Sequence, residues 1–445
     1  MFKTIRNAWS IPDLRKKILF TILIIILFRI GSVIPVPFLN MDALANLMQP
    51  IDMATGEGAN TFLGYINTLS GGAFANATIF AMGITPYINS SIIMQLLCVA
   101  IPALERLSKE GEDGRKKIAT ITRYVTVGLG LIQGTAFFFY LKNSTDDFGN
   151  RITTYNEGFS MWFAAIVIIL CFTAGTALIM WLGEQINKKG IGNGISMLLF
   201  AGIIARLPAT VELLGRYWNA GTQDSSFYVT VPLWIVLFLA VIWIITFMQD
   251  AERRLPVQYA KRVVGRKMYG GQSTHLPIKV SLGGVMPIIF ASSILSIPST
   301  IRMFVNVTPG SFWDSFFNAF SSEGWLYSVV YFVLILMFAY FYTTIQYNPI
   351  EMANNLKQNN GTIPGIRPGR PTADFIAKIL SRITLIGALF LALIALLPIA
   401  YSGMTGLVGL SMGGTSVIII VGVALDTAKQ LESQMMMRHY KGFLD

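Results

Sequence analysis

Cysteine and histidine are nearly absent from this chain, with two of each in 445 residues. Cys98 and Cys171 both fall inside apolar runs, which excludes a disulfide framework, and with only His275 and His439 beside them no ordinary zinc site can be assembled. Both cysteines read as small core residues. A phosphate loop is also missing: "GIGNG" at 190–194 has the glycines but no following Gly-Lys-Ser/Thr and no strand before it, so it reads as a tight turn. No catalytic constellation appears, and neither a cofactor nor a metal nor enzymatic activity is expected. Charge is scarce at 13% of residues. Ion-coupled carriers keep acidic or histidine side chains deep in the bundle, whereas here the internal charge is Arg29 in "LFRIGSV", close enough to a helix end to reach the headgroups.

What is abundant is apolar sequence: 53% hydrophobic residues and a mean hydropathy of +0.58. Such values describe an all-α polytopic membrane protein. Runs of about 20 apolar residues give ten candidate spans, at 18–36, 75–100, 118–141, 159–182, 191–213, 229–249, 284–307, 325–347, 379–399 and 408–427. The first follows Arg15, Lys16 and Lys17 as a signal peptide would, but no small-residue cleavage site comes after it, so it is expected to be retained. With both termini in the cytoplasm, most of the 34 Lys and Arg residues fall on the cytoplasmic side, as the positive-inside rule requires.

Ten spans divide into five before about residue 215 and five after, so halves 1–215 and 216–445 would cross the membrane in opposite senses. An inverted repeat is therefore possible. A local echo supports it: "GITPYINSS" (83–91) and "GVMPIIFAS" (284–292) share Gly, Pro, Ile and Ser at matching offsets. The long cytoplasmic loops 250–283 and 348–378 hold "ERRLPVQYAKRVVGRK" and "NNGTIPGIRPGRP" and read as projecting hairpins suited to a large docking partner, although solvated loops look similar. Outside, "TFLGYINTLSGG" (61–72) is too short to span and must lie at the interface or fold back into a cavity walled by protein. Glu184, with Lys188 and Lys189, is expected to serve orientation at the cytoplasmic edge.

The second helix of each half is unusually polar. Around "ITPYINSSIIMQ" stand Asn89, Ser91 and Gln95, and in the later half Ser292 and Ser293, joined by Gln133 in the third helix and Thr343 in the eighth. Single Ser or Thr residues only knit neighbours together, at about 0.6 kcal/mol per contact; so many in one helix suit a surface that meets water or polypeptide in turn. A secondary transporter of a small amphiphilic solute remains open at this point, weakened by the lack of buried acids.

Four blocks carry a closer identification: "FRIGSVIPVP" (28–37), "MWLGEQINKKGIGNGISMLLFAGI" (180–203), "YGGQSTHLPIKVSLGGVMPIIFASS" (269–293) and "NPIEMANNLKQNNGTIPGIRPG" (348–369). They resemble the bacterial SecY family, the central subunits of protein-conducting channels, over nearly the whole chain. The resemblance implies ten transmembrane helices in two inverted five-helix halves around an hourglass pore, with a re-entrant plug half-helix. It implies a ring of aliphatic side chains at Ile84, Ile88, Ile195, Leu199, Ile289 and Ile419, where the family more often has Ile at the Leu199 position. The plug maps to 61–72, with Leu63, Tyr65, Ile66, Leu69, Ser70, Gly71 and Gly72. The lateral gate, helices 2 and 3 against 7 and 8, takes Asn89, Ser91, Gln95, Gln133, Ser292, Ser293 and Thr343. Arg253, Arg254, Lys261, Arg262, Arg367 and Arg370 match positions where the ribosome or the SecA motor docks. Partners implied are SecE-type and SecG-type subunits, SecA, the ribosome, signal peptides, unfolded preproteins and the lipid bilayer, with no direct nucleotide binding, in the bacterial cytoplasmic membrane. An accessory paralogue serving one exported glycoprotein is the narrower alternative.

Overall fold

The computed structural model describes residues 2–41, 43–44, 72–74, 76–143, 151–155, 157–222, 225–259, 262–264, 267–269, 273–281, 283–302, 310–320, 325–405 and 414–441. Helices dominate: α1 (Phe2–Ser10), α2 (Pro12–Gly31), α3 (Thr85–Ala100), α4 (Pro102–Lys109), α5 (Glu112–Asn143), α6 (Gly158–Lys189), α7 (Gly194–Ile204), α8 (Leu207–Ala220) and α9 (Phe227–Asp250). Four strands follow, β1 (Glu252–Tyr259), β2 (Arg262–Val264), β3 (Lys267–Tyr269) and β4 (Ser273–Lys279). After them come α10 (Met286–Arg302), α11 (Phe312–Ala319), α12 (Trp325–Gln346), α13 (Pro349–Gln358), β5 (Gly361–Thr362), α14 (Arg370–Thr405) and α15 (Gly414–Lys441).

Each of the ten expected spans contains a helix. Six helical segments among the described residues are long and apolar enough to cross a bilayer by themselves. The pair α3 and α4 qualifies only jointly and bends by 102°, because Ile101 before Pro102 is held extended at φ −108°, ψ 113°. The apolar part of α10 is short, and α2 and α15 each join an apolar stretch to a charged one. Large side chains such as Trp243, Phe247, Trp162 and Phe163 stand exposed on these helices, the pattern of surfaces that face hydrocarbon rather than water.

Two departures from the hydropathy reading bear on the site. The second span begins at Thr85, not 75, because the described residues between 72 and 84 form tight turns instead of helix. That segment is buried, with Ala73, Ala77 and Ala81 fully inaccessible. Its backbone is satisfied by pairing with the chain after α2: Val36 N–H donates to the Ala77 carbonyl at 3.1 Å and Ile79 N–H to the Ile34 carbonyl at 3.0 Å. The fifth span is broken at Ala205 and Arg206, between α7 and α8, where Pro208 enters the first turn of the new helix.

The core separates into packed clusters. One gathers Phe290, Ala291 and Leu295 of α10, Tyr331, Ile335 and Phe338 of α12, Leu391 and Ala395 of α14, and Val417 and Ile418 of α15. Another joins Phe28 of α2, Ile179 and Leu182 of α6, and Leu198 and Ile203 of α7 with Val423 of α15. On the side assigned to the cytoplasm, β1 pairs antiparallel with β4 from Glu252↔Lys279 to Gln258↔Ser273 and with β5 at Gln258↔Thr362. The first long loop is thus a hairpin, as expected. The second is not: Asn348 accepts from the N–H groups of Ile350 and Glu351 and starts α13, with Pro349 in its first turn. Both loops then share one apolar core of Leu255, Val257, Ile278, Leu356, Ile363 and Ile376.

Candidate pore, gate and docking surface

Aliphatic side chains from four helices converge in the second of these clusters. Ile84, Leu199 and Ile419 are buried at 3%, 4% and 3% exposure in one cluster, and Ile88, Ile195 and Ile289 are partly buried against it. They come from the start of α3, from α7, from α10 and from α15. Local sequence sets each position. Gly83 adopts φ +55° immediately before Ile84, and Asn193 caps α7 by accepting from Ile195 and Ser196 N–H at 3.1 and 3.4 Å. "GIGNG" is the turn expected: Gly190 ends α6, Gly192 takes φ +83°, and Gly194 opens α7. The cluster so formed offers bulky hydrocarbon and no charge.

The seam between α3 and α10 is apolar at its core. Ile92 of α3, 6% exposed, packs in the same cluster as Phe290, Ala291 and Leu295 of α10. Around it the sequence-predicted polar residues divide. Asn89 has a buried Oδ1 with no hydrogen-bond partner. Gln95 Nε2 donates to Ser91 Oγ at 3.4 Å along the same helix, and Ser292 Oγ donates to the Ile289 carbonyl of its own helix at 3.0 Å. Ser293 and Gln133 are half-buried on α10 and α5. Thr343 is engaged away from the seam: it accepts from Thr384 Oγ1 of α14 at 3.2 Å and so ties α12 to α14. Ser90, beside them, is fully buried and donates to the Thr122 carbonyl of α5 at 2.8 Å.

Two groups escaped the sequence reading. Glu184 does more than orient the chain, for it forms a bidentate pair with Arg123 across α5 and α6, Nε to Oε1 at 2.5 Å and Nη2 to Oε2 at 2.7 Å. The signal was available, since both residues lie within a few turns of the ends assigned to the cytoplasm on consecutive spans, but sequence spacing does not show that the helices are adjacent. Arg206 stands in the break between α7 and α8, half-buried, with Nε enclosed and lacking a partner, and its side chain lies beside Gly72. It fell inside the fifth expected span, where hydropathy averaging hid it.

Of the expected plug, Gly72 is described, with φ +89°; Leu63, Tyr65, Ile66, Leu69, Ser70 and Gly71 lie outside the described residues. The basic residues expected to dock partners divide similarly. Arg253 and Arg254 are exposed on β1, Arg254 paired with Glu252 at 2.7 Å, and Arg367 and Arg370 are exposed where the chain enters α14. The shared sheet thus places the four on a single folded unit. Arg262 lies on β2, and Lys261 is outside the described residues.

Comparison with known proteins bears on this architecture. The SecY family model matches residues 78–428. A curated relative in Halalkalibacterium halodurans, protein translocase subunit SecY, is 46% identical over 449 residues, covering 100% of both chains. The fold is similar to that of a solved protein-conducting channel, with a TM-score of 0.63 at 17% identity over 95% of this chain and 92% of that one. It is similar also to the channel in the canine ribosome–channel complex from the endoplasmic reticulum, with a TM-score of 0.57 at 15% identity and the same coverage.

Proposed function

The chain belongs to the SecY family, and from that premise we propose a route for polypeptide through it. It is a multi-pass membrane protein and a protein translocase subunit, the channel-forming kind, so the solute-transporter alternative is set aside. In our reading, unfolded preproteins pass the ring of Ile84, Ile88, Ile195, Leu199, Ile289 and Ile419. The observation that carries it is the convergence of these six, from four helices, in or against one buried hydrophobic cluster. A hydrocarbon gasket presents no fixed charge or hydrogen bond to a passing chain, so it tolerates any sequence while hindering ions.

Signal and transmembrane segments leave sideways between α3 and α10. The apolar contact of Ile92 supports this, because parting it exposes few groups that hydrocarbon cannot tolerate. The segment 61–72 serves as the plug. Arg253, Arg254, Lys261, Arg262, Arg367 and Arg370 form the docking face for the ribosome and a SecA-type motor; the exposure of Arg253 and Arg254 on β1 and of Arg367 and Arg370 at the start of α14 supports it, as does the ribosome-bound state of the canine channel. SecE-type and SecG-type subunits complete the complex, in the bacterial cytoplasmic membrane with both termini inside. Energy comes from the motor or the ribosome. The test is reconstitution: with a SecE-type subunit and a SecA-type motor in vesicles, ATP should drive a preprotein to a protease-protected position. Failure to move any precursor would end this reading.

A further inference from the structure

The Arg123–Glu184 pair joins gate helix α5 to α6, the helix whose Gly183 packs against ring residue Ile195. On its α5 side, the residue before Arg123 is Thr122, whose carbonyl accepts the buried Ser90 hydroxyl of α3 at 2.8 Å. On its α6 side, the residue before Glu184 is Gly183, which forms the seat of Ile195. A Cβ at Gly183 would come within 2.6 Å of Ile195 Cδ1, and Gly194 lies so close to the Gly183 carbonyl that a Cβ there would strike backbone. One turn on, Asn187 Oδ1 accepts from Gly194 N–H at 2.7 Å. The path from Ser90 through Thr122, Arg123, Glu184 and Gly183 to Ile195 is therefore short, and much of it is backbone.

The pair itself is suited to transmit movement. Glu184 is 20% exposed, and a guanidinium fork on a carboxylate fixes both direction and distance, unlike a single flexible contact. Lys188 approaches the same carboxylate at 4.0 Å, too far to replace the fork. Tyr87, next to ring residue Ile88, packs against the ring cluster and lies within electrostatic range of both charges. A pair that only stapled two helices would need none of these links to the ring.

We propose that Arg123 and Glu184 are positioning residues that carry displacement of gate helices α3 and α5 into ring residue Ile195, so that parting the seam toward lipid also widens the ring. The inference rests on the ring and gate reading above. It makes lateral opening and pore widening one event on this side of the channel. Side-chain adjustment at Ile195 alone would leave the two independent.

The experiment uses the full channel complex in planar bilayers with a synthetic signal peptide as probe. Two quantities are read: crosslinking of the peptide to a cysteine placed at Ser91, which reports gate occupancy, and the conductance the peptide evokes, which reports the ring. Arg123→Gln, Glu184→Gln and Arg123→Lys should leave crosslinking near wild type while evoked conductance falls several-fold. The double variant Arg123→Glu with Glu184→Arg should recover most of it. Melting and yield of each complex identify any variant that fails to fold, and Arg123→Lys, which keeps the charge, is the variant most certain to fold. An unchanged ratio of conductance to crosslinking in the folded single variants overturns the coupling. Ile195→Ser separates the two levels. If it leaves resting conductance unaltered, the ring reading fails; if it raises conductance while the folded Arg123 variants match wild type, only the coupling fails.

Discussion

Gly83 and Gly284 share one backbone conformation, φ +55° at each, and each stands two residues ahead of a helix start, α3 at Thr85 and α10 at Met286. From those glycines the offsets match through Pro86 and Pro287, then Ile88 and Ile289. Two of the six proposed ring residues are thus delivered by the same local device, a left-handed turn followed by a proline in the first helical turn. A non-glycine residue pays a steric penalty in that region because its Cβ crowds the following carbonyl.

Gly284→Ala therefore isolates the backbone term. A Cβ there meets nothing within 4 Å, so the loss should be conformational, about 1–2 kcal/mol, with Asn at the same position recovering much of it. Thermal unfolding of the purified complex in detergent measures both variants, and a neutral Gly284→Ala would show that the turn relaxes.

Steric seating gives a sharper case at Gly194. Gly194→Ala drives a Cβ into the Gly183 carbonyl, and backbone cannot step aside as a side-chain tip can. Overpacking of this kind costs about 1–3 kcal/mol or more, so expression and melting temperature should both drop. Gly183→Ala meets only the tip of Ile195; it should fold and instead raise resting ion leak by displacing that residue.

Ring substitution tests the seal. Ile88→Ser combined with Ile289→Ser replaces two partly buried aliphatics with small hydroxyls that admit water, and resting conductance in planar bilayers should rise several-fold. Leu199→Ile keeps the hydrocarbon and should leave conductance unchanged, at a stability cost under about 1.5 kcal/mol.

On the docking face, Arg367→Glu should impair motor-driven export and motor affinity without unfolding the protein. Arg367 is exposed, and surface substitutions outside special contacts stay within about 0.5 kcal/mol. Normal export with normal motor affinity would remove Arg367 from the docking surface.

Hydropathy made the ten helices legible because apolar length is a one-dimensional property that survives without knowledge of packing. The start of α3 was not legible. Most of the described residues between 72 and 84 are apolar and buried without being helical, and the turns there are stabilised by long-range bonds such as Ile79 N–H to the Ile34 carbonyl. The ring and plug positions came from family resemblance; composition alone showed only aliphatic residues in apolar helices. Neither route revealed the Arg123–Glu184 pair or the engagement of Thr343 with Thr384, since both depend on which helices are neighbours. In the second long loop, the Asn348-Pro349 signature of a capped helix start was readable, and the Gly and Pro residues downstream masked it.

The central claim is that polypeptide threads the aliphatic ring, and disulfide trapping of a stalled preprotein tests it most directly. With Cys98 and Cys171, both free thiols, replaced by Ser, single cysteines are placed at Ile88, Ile195 and Ile289 and, as controls, at the exposed lipid-side positions Leu239 and Trp243. The account predicts crosslinks from one preprotein cysteine to all three ring positions and none to the controls; crosslinks at Leu239 or Trp243 with none at the ring would contradict it.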